Sequence, residues 1–551
     1  MPAYTFERRT LLAGAGGAAL LMGSGALAGC GNEADTSKNT AESNAKVVLP
    51  TYKRYTGVEP DLAGTDEGVD PAFKTYPKER PKSVDEKPGS GTDKVAGMAN
   101  IYYALPPSAD KNPWWKGLNE RMGVELSMTM VPNADYAQKY ATTIAGSDLP
   151  DLMQMAVVQN FPQLLESKFT NLSEYLSGDA ILEYPNLANI PTFTWKSSIY
   201  NGAIYGVPIP RGKPGHYMFI REDLFDAVDA SKNPQSYDEF LESAKKLTDP
   251  AKRRWAFGTP GSAYAILATM NEVPNNWKVD AGKLIKDYET EEWKQSVVDQ
   301  MEFWKAGVIH PDGFNPAQPF KALFNAGTTA INDDGYAGWT QYILDNKANS
   351  SFKLGLMTVE KRDGGKAPWR AGSGIFSITG MKKQDSPDRV KMMLRMLNWL
   401  AAPFGTEEAF YRLYGEEGRE SNVDDQGNPT FTEEGAINTT VPIRYMSDAP
   451  QIVYMPGRPD DAVVQHEYQS EIIPGAIVDP TLGLWSNTSA TKGAQISTAL
   501  TDTVNQVIQG RQPVSALDEA VQKWKSGGGD KIRGELEAQL AGGTATPTPA
   551  G

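Results

Sequence analysis

A single cysteine, Cys30, is all the thiol that this 551-residue chain contains, which excludes an intramolecular disulfide and a thiolate metal cluster. Stability must come from packing. Histidine is nearly as scarce. His216, His310 and His466 stand far apart, none in an H-x-x-x-H pair, so zinc sites built on histidine and hydrolytic triads find no support, and each is read as a surface or satisfied core residue. Positive charge is in the minority: the formal net charge is −14, which disfavours nucleic acid and anionic surfaces as partners and leaves a neutral or cationic ligand open. No internal repeat is visible.

What is present is length with a soluble composition. With 40% hydrophobic and 22% charged residues, the chain reads as globular, and it is too long for one ordinary core, so two or more packed lobes are expected.

Cys30 closes Leu27-Ala28-Gly29-Cys30, after a weakly polar run that begins behind Arg8-Arg9. This resembles a bacterial lipoprotein signal. Arg8 and Arg9 would stay with cytoplasmic anionic lipid, Leu11 to Leu27 would cross the bilayer, and small Ala28 and Gly29 would admit a peptidase. Residues 1–29 are therefore expected to be a signal peptide, and Cys30 a lipidated N-terminus on the extracellular face of the cell membrane. An uncleaved membrane helix is the alternative, disfavoured by Gly14, Gly16, Gly17, Gly23, Gly25 and Gly29. Glu7 to Leu12 also resembles a twin-arginine signal with leucine in place of phenylalanine, so export by the Tat or the Sec route stays open.

Residues 30–95 are rich in Asn, Glu, Lys, Pro and Gly and read as a lipidated, extended tether, parts of it draping over the body. Residues 541–551 read as a disordered tail. Between them the periods alternate. Trp115, Leu118 and Met122 mark a helix face; Val124, Leu126, Met128 and Met130 a strand; Tyr136, Tyr140 and Ile144 a helix; and 152–158 a second strand. Strand, helix, strand at this spacing predicts a parallel pair in an α/β sheet. Ser236 and Ser386 head two helices, and two more carry Leu500 to Ile508 and Leu517 to Trp524 before Gly527-Gly528-Gly529 ends the run.

Several stretches in order are similar to the large sugar-type extracellular solute-binding proteins of bacterial ABC importers. They include 145–152 (AGSDLPDL), 204–208 (IYGVP), 220–224 (IREDL), 273–277 (VPNNW), 307–312 (GVIHPD), 403–408 (PFGTEE) and Gly510-Arg511. The resemblance spans about 100–540. It implies a two-lobed periplasmic-binding-protein-like (type 2) α/β fold with discontinuous lobes and a hinge cleft. Within a solute-binding domain of 96–540, lobe 1 would take about 96–212 and 366–402, and lobe 2 about 213–365 and 403–540. It implies a monomeric binder, not an enzyme, that captures a carbohydrate, in the first instance an oligosaccharide, and delivers it to ABC permease subunits, without cofactor or metal. The calcium loop that longer members carry after the Ser236-type helix is missing here, and Asp424 to Asn428 reads as a surface turn because Gly435 stands where a bidentate Glu is needed.

A sugar offers apolar C–H faces and a rim of hydroxyls, so its site needs flat aromatic rings beside amide, carboxylate and guanidinium groups. Tyr336 and Trp339, after the apolar Thr329-Ala330-Ile331, are the leading stacking candidates, the alternative being a helix start that packs Trp339 on the core. Trp485 stands in a polar loop. Met155, Gln159 and Asn160 lie beyond the 152–154 strand, outside a carboxyl end. Tyr264 and Arg211 rank lower. Arg221 and Asp223 are read as a local pair. Two other classes stay open: a surface-anchored glycoside hydrolase, which needs two facing carboxylates, and a ligand-free adhesion lipoprotein.

Overall fold

In the computed structural model, which describes residues 38–146 and 148–540, strands β1 (Asp93–Ile101), β2 (Val124–Pro132), β3 (Leu152–Gln154) and β4 (Val207–Pro210) belong to one sheet. The chain then crosses to a second sheet, of β5 (His216–Arg221), β6 (Trp255–Phe257), β7 (Thr329–Gly335) and β8 (Leu354–Leu356), and returns to the first as β9 (Ile375–Met381). The strand orders are β2-β1-β3-β9-β4 and β8-β5-β7-β6. Cys30, the signal-like segment and the 541–551 tail lie outside the described residues.

Helix Asn133–Ala145 follows β2 as its spacing predicts. The parallel direction expected of β2 and β3 is also present, but each pairs with β1 between them, β2 from Asp93↔Val124 to Ile101↔Pro132. The second strand stops at Gln154, short of the expected residue 158. Both faces of this sheet are covered, as parallel strands require. Val95, Ala99, Leu126 and Leu152 pack with Trp114, Trp115 and Leu118 of helix Pro113–Met122 and with Leu394 and Leu397 of helix Pro387–Leu400. Met98, Met153 and Ile378 pack with Tyr136, Tyr140 and Phe161 on the other face. The second sheet buries Tyr217, Phe219, Phe257 and Ile331 against Phe240, Ala244 and Leu247.

Both serine caps form: Ser236 Oγ accepts the Glu239 N–H (3.3 Å) and Ser386 Oγ the Arg389 N–H (3.4 Å). The helical run at the C-terminal end breaks at Gly528, whose φ of 150° suits glycine, and a further helix, Asp530–Leu540, follows. Asp424 turns the hairpin between Ser421–Val423 and Pro429–Phe431, its Oδ1 accepting the N–H of Gln426 and of Asn428.

Two expectations are corrected. The stretch from 403 to 447, placed in the second lobe, gives Tyr411, Val441, Ile443, Tyr445 and Met446 to the first core; the helix Pro459–Ile472 gives Tyr468 and Ile472 to the second. The described part of the tether is a belt rather than a spacer, because scattered apolar side chains find partners on the body. The N–H groups of Thr51 and Lys53 donate to Gly178 O and Ala188 O, Val69 is buried in the second core, Ala72 and Phe73 pair with Val453 and Tyr454, and the Tyr76 ring sits 4.6 Å from that of Phe404.

The crossing segments are paired. The N–H of Gly372 donates to Lys213 O and that of Arg211 to Gly374 O, both at 2.8 Å. Gly215 and Gly372 touch so closely that a Cβ on Gly372 would lie 2.7 Å from the Gly215 Cα.

Candidate functional site

Strand directions decide where a ligand can sit. β1, β3 and β4 end at one edge of the first sheet, where antiparallel β9 begins. In the second sheet β6 and β7 end at the edge where β5 begins, with His216 opposite Gly335. The crossings run from the end of β4 to the start of β5 and back into the start of β9. The two edges therefore meet at the hinge, and these are the edges at which open α/β sheets bind ligands.

On the first edge Tyr102 and Tyr103 follow directly on β1 and are 51% and 62% exposed. Tyr102 lies 6.4 Å from Phe376 at the start of β9 and 5.9 Å from Tyr445, and Phe376 and Tyr445 lie 4.8 Å apart. The Arg211 guanidinium covers Phe376 at 5.0 Å from the ring centre. Behind these rings is Asp448, which accepts from Arg412 at 2.7 Å and meets Arg211 and Arg444 at 3.4 Å each. Burial alone would raise the Asp448 pKa, yet the guanidinium groups of Arg412, Arg444 and Arg211 together hold it below its ordinary value.

On the second edge Tyr336 reaches back to the crossing. Its hydroxyl accepts the Gly212 N–H (3.1 Å), and burial, then the charge of Asp70, pushes its pKa up to about 12. His216 lies 3.2 Å from Asp333, and this hydrogen bond raises the histidine pKa. Tyr264 lies past β6, its ring 5.5 Å from the Arg370 guanidinium.

The expected residues thus divide. Arg211 and Tyr336 stand at the facing edges, whereas Tyr264, in the helix Pro260–Met270 past β6, packs against the core of Val297 and Leu500. Gln159 is exposed and Asn160, at φ 55°, donates its N–H to Asn487, so their loop lies at the rim past β3, joined there to the Trp485 loop. Trp485 itself is 5% exposed and packed in the first sheet's core, and its buried Nε1–H has no partner among the described residues; its exposure, the basis for its candidacy, is corrected. Met155 faces Tyr140, 3.8 Å from its hydroxyl, in the same core and is no cleft residue. Trp339 is a further correction. Its helix, Gly338–Asp345, starts by packing the indole on the core beside Phe219, and its Nε1–H donates to Asp461 (2.8 Å), leaving it 3% exposed. Arg221 and Asp223 form the expected local pair at 2.8 Å.

Residues that the sequence reading passed over are Tyr102, Tyr103, Phe376, Arg444, Tyr445 and Asp448. The tyrosine pair carried a usable signal, since it follows a strand end; the others are gathered only by the fold.

The profile of the bacterial extracellular solute-binding protein family matches residues 115–390. The chain belongs to this family. The polygalacturonan/rhamnogalacturonan-binding protein YtcQ of Bacillus subtilis (strain 168) is 24% identical over 463 residues, covering 81% of this chain and 90% of its own. Among solved solute-binding proteins of this fold, an HMO-binding, ABC-transporter-associated protein from Bifidobacterium longum infantis superposes with a TM-score of 0.62 at 17% identity, over 82% of this chain and 99% of its own. The N-glycan transport protein NgtS from Streptococcus pneumoniae does so at 0.61 and 16%, over 82% and 98%. These likenesses make the architecture a type 2 solute-binding fold of two lobes.

Proposed function

We propose that this solute-binding protein captures an oligosaccharide between its two lobes and hands it unchanged to the permease of an ABC importer, anchored to the outer face of the membrane by lipid on Cys30. The observation that carries this is the row of Tyr102, Phe376 and Tyr445 beside Arg211 and Arg444, facing Tyr336 across the hinge. Rings supply faces for sugar C–H groups, and guanidinium and phenol groups supply hydrogen bonds to the hydroxyls. The polygalacturonan/rhamnogalacturonan-binding, HMO-binding and N-glycan transport proteins to which the chain is similar support the same class.

Closure follows from contacts that exist in one state only. A ligand touching the Tyr102 edge and the Tyr336 edge together favours the closed form by its differential contacts, and the paired crossings at 211–215 and 370–374 are the hinge.

The hydrolase alternative needs a carboxyl with a raised pKa as general acid. Asp448, its pKa lowered by three guanidinium groups, does not suit the role; Asp70, raised by burial to about 7, meets the pKa requirement but is buried behind Gly212 and bonded to Gln469. Incubation with labelled oligosaccharides tests the reading: saturable, stoichiometric retention of intact sugar is expected. Turnover products would establish the hydrolase, and absence of binding across the panel would establish the ligand-free class.

A further inference from the structure

The first edge of the cleft carries more positive charge than it can neutralise by itself. Arg211, Arg412 and Arg444 share one carboxylate, Asp448. Arg412 is buried and takes the short bond, Nη1 to Oδ1 at 2.7 Å. Arg211 and Arg444 both approach the other oxygen, Oδ2, at 3.4 Å. Asp448 is thus shared three to one: with its neighbours it outweighs burial at Arg444, whose pKa is raised, but not at Arg211, whose pKa is lowered. Arg444 has a half-exposed side chain beside Tyr445, while the Arg211 side chain is largely covered and stacked on Phe376.

Three guanidinium groups around one carboxylate leave net positive charge at a partly buried site, which an added anion would offset. Burial, followed by repulsion from Arg444, lowers the Arg211 pKa. The next carboxyl, Asp70, lies on the far side of Gly212, is held by Gln469, and has a pKa raised by burial to about 7, so it is a weak counter-charge. The chain as a whole carries a formal −14; the cationic edge is a local exception that net charge conceals.

Resting on the reading of the cleft as a carbohydrate site, we infer that its ligand is an acidic oligosaccharide, one sugar of which places a carboxylate on Arg444 and Arg211 while its ring lies against Tyr102, Phe376 and Tyr445. The planar guanidinium fork matches a carboxylate in two parallel hydrogen bonds. The ligand's charge supplies what Asp448 lacks, and the aromatic rings next to it take the apolar face of the same residue. A neutral sugar would satisfy the rings and leave the two charges as they are.

The test is calorimetric titration of the full chain with (1→4)-linked oligogalacturonate, its methyl-ester form and the neutral (1→4)-linked galacto-oligosaccharide of equal length. The acid is expected to bind at least tenfold tighter than either neutral probe, and to lose affinity as salt is raised while the neutral probes do not. Arg444→Gln, at a half-exposed side chain, should erase the preference for the acid and leave affinity for the neutral probes unchanged, while its unliganded melting temperature reports the cost of losing the Asp448 pair. Equal or tighter binding of the neutral probes, or an Arg444→Gln variant that keeps the acid preference, overturns the inference and leaves the carbohydrate reading standing. If no probe and no sugar of a wider panel binds, both fall.

Discussion

Gln469 grips Asp70 at two points: its Oε1 accepts the Asp70 N–H at 2.8 Å, and its Nε2 donates to the Asp70 Oδ2 at 3.2 Å. A residue of the N-terminal belt is thereby fastened to helix Pro459–Ile472 of the second core, next to the buried Val69.

The Asp70 carboxyl gives this fastening a pH dependence. Burial, opposed by the bond from Gln469, raises its pKa to about 7, whereas an unfolded aspartate titrates near about 3.9. The folded state therefore binds the proton more tightly. Between about pH 4 and 7 it holds more protons than the unfolded chain, so this group's contribution to stability falls as pH rises through that window and is flat above it. Thermal melts from pH 4 to 8 should show Asp70→Asn gaining on the parent as pH rises; parallel curves would refute the assignment.

Trp339→Ala should destabilise the second lobe by about 3–5 kcal/mol, since the indole fills core beside Phe219 and its N–H binds Asp461. Chemical denaturation measures this directly. A folded variant of unchanged stability that has lost only binding would restore the tryptophan to the cleft.

Tyr102→Ala combined with Phe376→Ala removes rings that are exposed or half-buried. Affinity for oligosaccharide should drop by about tenfold or more, ~1.4 kcal/mol, with the unliganded melting temperature within a degree or two of the parent.

Gly372→Ala places a methyl group 2.7 Å from the Gly215 Cα, backbone that cannot step aside as a flexible side chain would. The crossing pair must separate, and the variant should lose stability and show a changed closed fraction by small-angle scattering with ligand. Gly510, at φ 70° with open space around its Cβ position and lying after the helix Ala494–Ile508, is a control: alanine there strains the local backbone away from the crossing pair.

Much of the fold was legible where local chemistry is periodic. Strand β2 alternates, Ser236 and Ser386 cap their helices, and the order of short motifs led to the family. The interior strand β1 was not, because it reads Val95-Ala96-Gly97-Met98-Ala99 and is buried from Val95 on save for Ala96; a strand covered on both faces has no alternation to detect. The belt was hidden for the opposite reason: Val69, Phe73 and Tyr76 are single anchors in polar sequence, with no period at all. Of the site, Arg211 and Tyr336 could be found from strand ends, while Phe376, Arg444, Tyr445 and Asp448 come from segments that only tertiary folding brings together. Trp339 was misplaced because a turn-like Asp-Gly-Tyr-Ala-Gly approach says where the chain bends and not which way the next ring faces.

The belt has a practical consequence. A shortened protein beginning at Asp93 would keep every strand of both main sheets, yet would leave the pocket of Val69 open, strip the second chain from Val453-Tyr454 and remove the outer wall of the 240 Å³ cavity beside Pro210, Arg211 and Lys213. Opening and closing measured on such a truncation would be those of an unbraced hinge.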